Sequence, residues 1–291
     1  KMGLMEYFGS LDPIKLLGNL PGGIGQGLIW GIMALGVYIT FRLLDFADLS
    51  VDGTFATGGA VTVMLLLAGV PAPLAVLIAV AAGIVAGCVT GLLHTLLGIP
   101  AILSGILVQF MLYSINLRIM GMASNKAISV DKYDLILSSR YVSSAILIGA
   151  IFVLVLIAVM YWYFGTEQGS AIRATGTNPA MAKAQGINIG VMKVIGLALS
   201  NGLVALAGGL MAQYQGFADV SMGRGAIVIG LAAVIIGEVL CDAIFKKRKN
   251  FAIRLLFVAI GGVVYYMVVV VVLWMKLNSN DLKLFTAVIV A

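Results

Sequence analysis

The chain has 291 residues, 62% of them hydrophobic and 10% charged, with a mean hydropathy of +1.11. So little polar surface excludes an ordinary soluble domain, which needs more of it to face water. The net charge of +6 gathers at segment ends, where it reads as a topology signal and excludes a nucleic-acid surface.

In chain order, the first twenty residues mix apolar and charged side chains in "MEYFGSLDPIKLL" and predict an interfacial segment over 1–21, lying on the bilayer surface. The membrane body follows over 22–291. Apolar runs predict spans at about 22–41, 54–70, 74–94, 100–117, 141–164, 194–215, 225–241 and 255–275. No charged residue occurs from Gly53 to Leu117, enough for about three crossings at about 20 residues each. The first span has Glu6 and Asp12 before it and no small-residue cleavage pattern after it, so it is expected to persist in the mature protein. The last eight residues, Leu284 to Ala291, are apolar but too short to span; either the chain continues or this end packs as a partial helix. The fold class is all-α: a polytopic membrane protein of about eight to nine transmembrane helices.

The densest basic run, "KKRKNFAIR" at 246–254, marks the inner face. Two spans separate it from the 166–193 loop, which is therefore inside as well; the N-terminus and the 118–140 loop lie outside. Cys88 and Cys241 have no metal-ligand or disulfide spacing and read as buried thiols. His94 ends a span beside a tight turn and reads as a satisfied interfacial histidine.

One phrase occurs twice. Phe-Ala-Asp-Leu-Ser at Phe46 aligns with Phe-Ala-Asp-Val-Ser at Phe217, and without a gap Gly59 then falls on Gly230 and Val63 on Val234. The phrases open the second and seventh spans, an odd number of crossings apart, so they enter from opposite faces and predict an inverted repeat. Gly58 and Gly59 near the start of one span, and the shortness of the other, predict short or broken helices beside a substrate path. Asp48, Ser50 and Asp219 are expected to be N-caps that accept hydrogen bonds from the first amides of a helix; the alternative is that these helix starts line the path. Gln109 and Asn201 sit well inside their spans, where polar side chains usually join helices and sometimes face a pathway. The candidates for cap or pathway are thus Asp48, Ser50, Asp52, Gln109, Asn201, Asp219 and Ser221. Glu238 and Asp242 are expected in ion pairs or interfacial water.

Within the inner loop, Asn178 and Pro179 form a helix start and Gly186 a left-handed stop, predicting a helix of about two turns, "PAMAKAQ", too short to be stable alone. The run "IRATGTNPAMAKAQGINIGVMKVIGLALSNGLVALAGGL" resembles the cytoplasmic loop and following helix of ABC importer permeases of the branched-chain amino acid type. Those carry R-A-x-G-x-N-P-x-A-A-x-x-x-G-I; this chain matches at Arg173, Ala174, Gly176, Asn178, Pro179, Ala182, Gly186 and Ile187, and departs at Met181, where alanine is usual. The "FADLSVDGTFATGG" stretch is similar to the segment after the family's first long span, though branched-chain members usually carry a different polar sequence there.

The resemblance implies that the short helix is a coupling helix seated on a separate ATPase subunit, with Arg173, Asn178, Pro179, Ala182, Lys183, Gly186 and Ile187 as its coupling residues. It also implies an extracytoplasmic substrate-binding protein docking at the 118–140 loop, a second permease chain forming a homodimer, and a place in the bacterial inner membrane. No phosphate-binding GxxxxGK[ST] loop is present, so this chain is expected to be no enzyme and to bind no cofactor, with ATP and magnesium on the partner ATPase. The implied cargo is an amino acid, with nucleosides and sugars as alternatives. The repeat alone equally permits an ion-coupled secondary transporter or a channel.

Overall fold

The computed structural model describes residues 13–129, 132–245 and 250–275. The basic run 246–249 and the C-terminal stretch from 276 lie outside the described residues, as do residues 1–12 of the N-terminal segment. The helices are α1 (Pro13–Tyr38, continued by a π turn, Ile39–Leu43), α2 (Val51–Leu67), α3 (Ala72–Thr95), α4 (Ala101–Ile119), α5 (Val142–Gly165), α6 (Glu167–Thr177), α7 (Pro179–Ala184), α8 (Ile189–Gln215), α9 (Ala226–Ile244) and α10 (Phe251–Trp274). Two three-residue strands, β1 (Asn125–Ala127) and β2 (Phe217–Asp219), pair antiparallel. Seven helices are long and apolar enough to cross a membrane, and α2 is a shorter apolar eighth.

Residues 13–21 are helical and continuous with α1, passing through Pro21. A proline there costs one backbone bond, to the carbonyl of Leu17, and Leu17 is 66% exposed at the end of the helix where water can replace it. The other expected spans appear with ends shifted by a few residues. Polar α6 was read as loop, although Thr166 caps it by accepting from the Gly169 amide at 3.3 Å.

The helix contacts fall into matching pairs. Glycines let backbones approach: a Cβ at Gly31 of α1 would lie 2.9 Å from the Ala259 carbonyl oxygen of α10, and one at Gly87 of α3 would strike the Leu197 carbonyl of α8. Thus α1 packs on α10 as α8 packs on α3. Gly58 of α2 meets Ala205 of α8, and Gly230 of α9 meets Val37 of α1, completing the correspondence. The two central helices, α1 and α8, are the most enclosed, with 78% of their most apolar windows buried; α5 at 22% is the least. Trp30 stacks on Phe55 at 4.9 Å and on Tyr266 at 5.7 Å, joining α1, α2 and α10.

The loop after α4 folds over the end of α8: the Ile136 amide donates to Gln213 Oε1 at 2.9 Å and the Ser139 amide to the Tyr214 carbonyl at 3.1 Å. At the opposite end of α8, His94 is satisfied at both nitrogens, with Ile99 O at 2.8 Å and Lys193 Nζ at 3.0 Å. Because the lysine ammonium can only donate, Nε2 accepts and Nδ1 carries the proton. Arg42 pairs with Glu238 at 2.8 Å across α1 and α9. Cys241 is buried and Cys88 half-buried, both as free thiols.

Candidate functional site

The repeated phrase folds twice into one motif. Asp48 Oδ1 accepts from the Ser50 amide at 2.9 Å and from Ser50 Oγ at 2.6 Å; Asp219 Oδ1 accepts from the Ser221 amide at 2.7 Å and from Ser221 Oγ at 2.6 Å. Both are turns closed by a side chain that bonds its own backbone two residues on. Their surroundings differ sharply. Asp48 is 1% exposed, whereas Ser221 lies in the open.

At the first copy the polar groups knit helices together. Asn201, midway along α8, donates to Asp48 Oδ2 at 2.8 Å and to the Leu197 carbonyl at 3.0 Å, and accepts from Thr54 Oγ1 at 2.6 Å and Ser50 Oγ at 3.3 Å. A buried carboxylate at this depth is tolerable because donors surround it. Asn201 is fully enclosed and therefore ties α8 to the entry of α2; it faces no cavity. Thr54 was not singled out in the sequence, since its partner is 147 residues away.

Three cap assignments are corrected. Asp48 bonds the Ser50 amide, which precedes the first helical residue of α2, so it closes the turn and does not cap the helix. Ser50 occupies the N-cap position of α2 but its hydroxyl makes no cap bond, being turned toward Asp48 and Asn201. Asp219 lies in β2, before a turn that separates it from α9, and so cannot reach that helix start. The α9 amides go instead to Asp52: Oδ2 accepts from the Gly225 amide and Oδ1 from the Ile227 amide, each at 2.9 Å. Asp52 also sits in the first turn of α2. One carboxylate thus lies between the positive ends of two helices that enter from opposite faces, which favours its charge. The turn before α9 comes close enough for this because Gly223 has no Cβ; one would collide with the Asp52 carbonyl.

Beside this meeting point opens a cavity of about 370 Å³, lined by Asp52, Gly53, Gln109, Phe110, Tyr113, Asn116, Val220, Ser221 and Arg224. Three of the candidates (Asp52, Gln109 and Ser221) converge here. Arg224, Tyr113 and Phe110 join them without having been picked out in sequence, where they read as a span margin and ordinary apolar-helix aromatics. Asn116 is fully buried; its amide nitrogen donates weakly to the Gly53 carbonyl at 3.4 Å and its Oδ1 has no partner among the described residues. Arg224 is exposed and has no ion-pair partner among the described residues.

Helix α7 begins where expected. Asn178 Oδ1 accepts from the Met181 amide at 3.0 Å, Pro179 is the first helical residue, and Gly186 adopts φ +82 while its amide bonds the Lys183 carbonyl at 3.0 Å. Ala182 alone is buried in this helix; Lys183 is exposed and Ile187 half-buried. Arg173, on α6, stands 5.8 Å over the Phe251 ring and reaches Ser170 Oγ at 3.4 Å. Gly176 of α6 abuts the Leu43 carbonyl, and Gly196 of α8 abuts the Leu44 side chain. Helix α6, which leads into α7, therefore rests directly on the break between α1 and α2, a few residues before Asp48.

The family described as "branched-chain amino acid transport system / permease component" matches residues 19–291. The chain is 41% identical over 265 residues, 91% of its length and 86% of the relative's, to a protein of Clostridioides difficile (strain R20291) named "Tyrosine transport system permease protein". It is also 32% identical over 182 residues to "Uncharacterized protein RP368" of Rickettsia prowazekii (strain Madrid E), covering 62% of this chain and 63% of that one. No solved structure gives a significant match. Together with seven spans of sufficient length, these findings make the protein a multi-pass component of the bacterial plasma membrane. The chain belongs to the branched-chain amino acid transport permease family.

Proposed function

We propose that this permease is the transmembrane subunit of an ATP-driven importer that carries an amino acid inward. The observation that supports this best is the seating of α6, which leads into the exposed α7, against Leu43 and Leu44 at the break in the first repeat. A push on α7 from a separate ATPase, holding ATP and magnesium, reaches the α1–α2 junction through the contact of Gly176 with Leu43. Asn178, Pro179, Ala182, Lys183, Gly186 and Ile187 form the docking helix and its exit, and Arg173 anchors α6 to the start of α10.

On the outer side, an extracytoplasmic binding protein delivers the cargo to the ribbon of β1 and β2 and the loop bearing Lys126, Lys132 and Asp134. A second copy of the chain completes the path, along which Asp52, Gln109 and Ser221 lie. Asp48, Ser50 and Asn201 hold the helix entry in shape. The tyrosine system named for the C. difficile relative favours an aromatic amino acid as cargo.

Replacing the Asn178 to Gly186 helix with a flexible linker is expected to abolish substrate-stimulated ATPase activity of the assembled complex. Stimulation equal to that of the unaltered protein would overturn the coupling role.

A further inference from the structure

The cavity beside Asp52 carries an unbalanced charge. Both Asp52 oxygens are taken by the Gly225 and Ile227 amides, so the carboxylate is answered by a helix start. Arg224, one residue before that helix cap, has no ion-pair partner among the described residues. The turn that bears it stands at the open rim of the cavity, with the guanidinium exposed beside Val220 and Ser221. Its planar fork suits one class of group above others, a carboxylate bound through two parallel hydrogen bonds.

The opposite wall has the complementary character. Asn116 is wholly buried yet leaves Oδ1 unpartnered. Such an oxygen costs free energy until a donor arrives. Gln109 adds a second amide on the same helix, one and a half to two turns below, and Phe110 and Tyr113 supply aromatic surface between them. A volume of about 370 Å³ falls at the lower end of the range for small-molecule sites, about 300 to 1,000 Å³.

We propose that this cavity is a transit site for a free, zwitterionic α-amino acid. The cargo carboxylate pairs with Arg224, its ammonium donates to Asn116 Oδ1 and the Gln109 amide oxygen, and its side chain lies against Phe110 and Tyr113. The proposal rests on the amino-acid importer reading above and adds to it the residues that recognise the backbone of the cargo inside the membrane.

The test uses the purified full-length permease with L-phenylalanine, phenethylamine, which lacks the carboxylate, and 3-phenylpropionate, which lacks the ammonium. Binding is read as ligand-induced thermal stabilisation, with each Kd taken from its concentration dependence up to about 50 mM. Unaltered protein is expected to bind L-phenylalanine more tightly than either analogue. Arg224→Gln is expected to raise the Kd for L-phenylalanine at least roughly tenfold, as loss of charge-assisted hydrogen bonds does. It should abolish binding of 3-phenylpropionate and leave phenethylamine unchanged, whereas a distorted site would weaken all three together.

Arg224→Lys keeps the charge but loses the planar fork and is expected to recover only part of the affinity, which secures the test against poor folding of the glutamine variant. Phenethylamine binding as well as L-phenylalanine, an undiminished affinity in Arg224→Gln, or no binding of L-phenylalanine by the unaltered protein would overturn the proposal. Failure of the importer reading shows separately, as absence of ATP-dependent uptake in the assembled complex.

Discussion

The twin Asp-x-Ser turns make a controlled comparison, because the local chemistry is the same and only the burial differs. In Asp48→Ala, three donors lose their acceptor: the Ser50 amide, Ser50 Oγ and Asn201 Nδ2. Side-chain hydrogen bonds within membrane proteins average about 0.6 kcal/mol each, which sets a floor near 2 kcal/mol. None of the three donors can turn to water, since Ser50 and Asn201 are fully buried, and orphaned buried donors raise the total to about 2 to 4 kcal/mol. In Asp219→Ala the same local bonds are lost, but Ser221 is exposed and water replaces the acceptor, so the cost stays under about 1 kcal/mol. At roughly 2 °C per kcal/mol for a chain of this size, thermal unfolding in detergent should fall by about 4 to 8 °C for Asp48→Ala and by about 2 °C or less for Asp219→Ala. Equal shifts, or a larger one for Asp219→Ala, would refute the view that the first copy is a structural lock.

Other consequences are independent of that pair. Gly58→Val and Gly208→Val place a side chain into the backbone of Ala205 and Phe55 respectively, and are expected to prevent accumulation of folded protein; Gly165→Ala, with open space around it, serves as the tolerated control by expression and gel filtration. Asp52→Ala removes the cap shared by α9 and should cost about 1 kcal/mol of stability, read in the same melts, while Asp52→Asn retains part of it. Asn178→Ala should weaken the start of α7 by about 1 kcal/mol and lower stimulated ATPase turnover, with Asn178→Asp restoring it. Glu238→Gln should shift the melt by less than about 2 °C, because Arg42 is 55% exposed and a solvent-facing pair is worth under about 1 kcal/mol.

Local signals in the sequence carried far. The charge-free stretch from Gly53 to Leu117 located α2, α3 and α4, and Asn178, Pro179 and Gly186 located both ends of α7. The repeat was legible because the same letters build the same turn. What escaped depends on contacts distant in sequence. Asp52 caps α9 across 173 residues, so the obvious neighbour, Asp219, was assigned that role instead. Asn201 had the depth expected of a pathway residue, but its partners on α2 enclose it. The α6 helix is too polar for a hydropathy reading to find, and the β1–β2 ribbon is too short for any periodic signal. Arg224 looked like a span boundary until the turn before α9 carried it to the side of Asp52 and Asn116.

The most direct measurement is uptake into proteoliposomes holding this permease, its ATPase and its binding protein, loaded with a labelled aromatic amino acid. The account predicts inward accumulation that requires ATP hydrolysis and ceases when the ATPase is inactivated. Accumulation by the permease alone, driven by a proton or sodium gradient and indifferent to the ATPase, would contradict it.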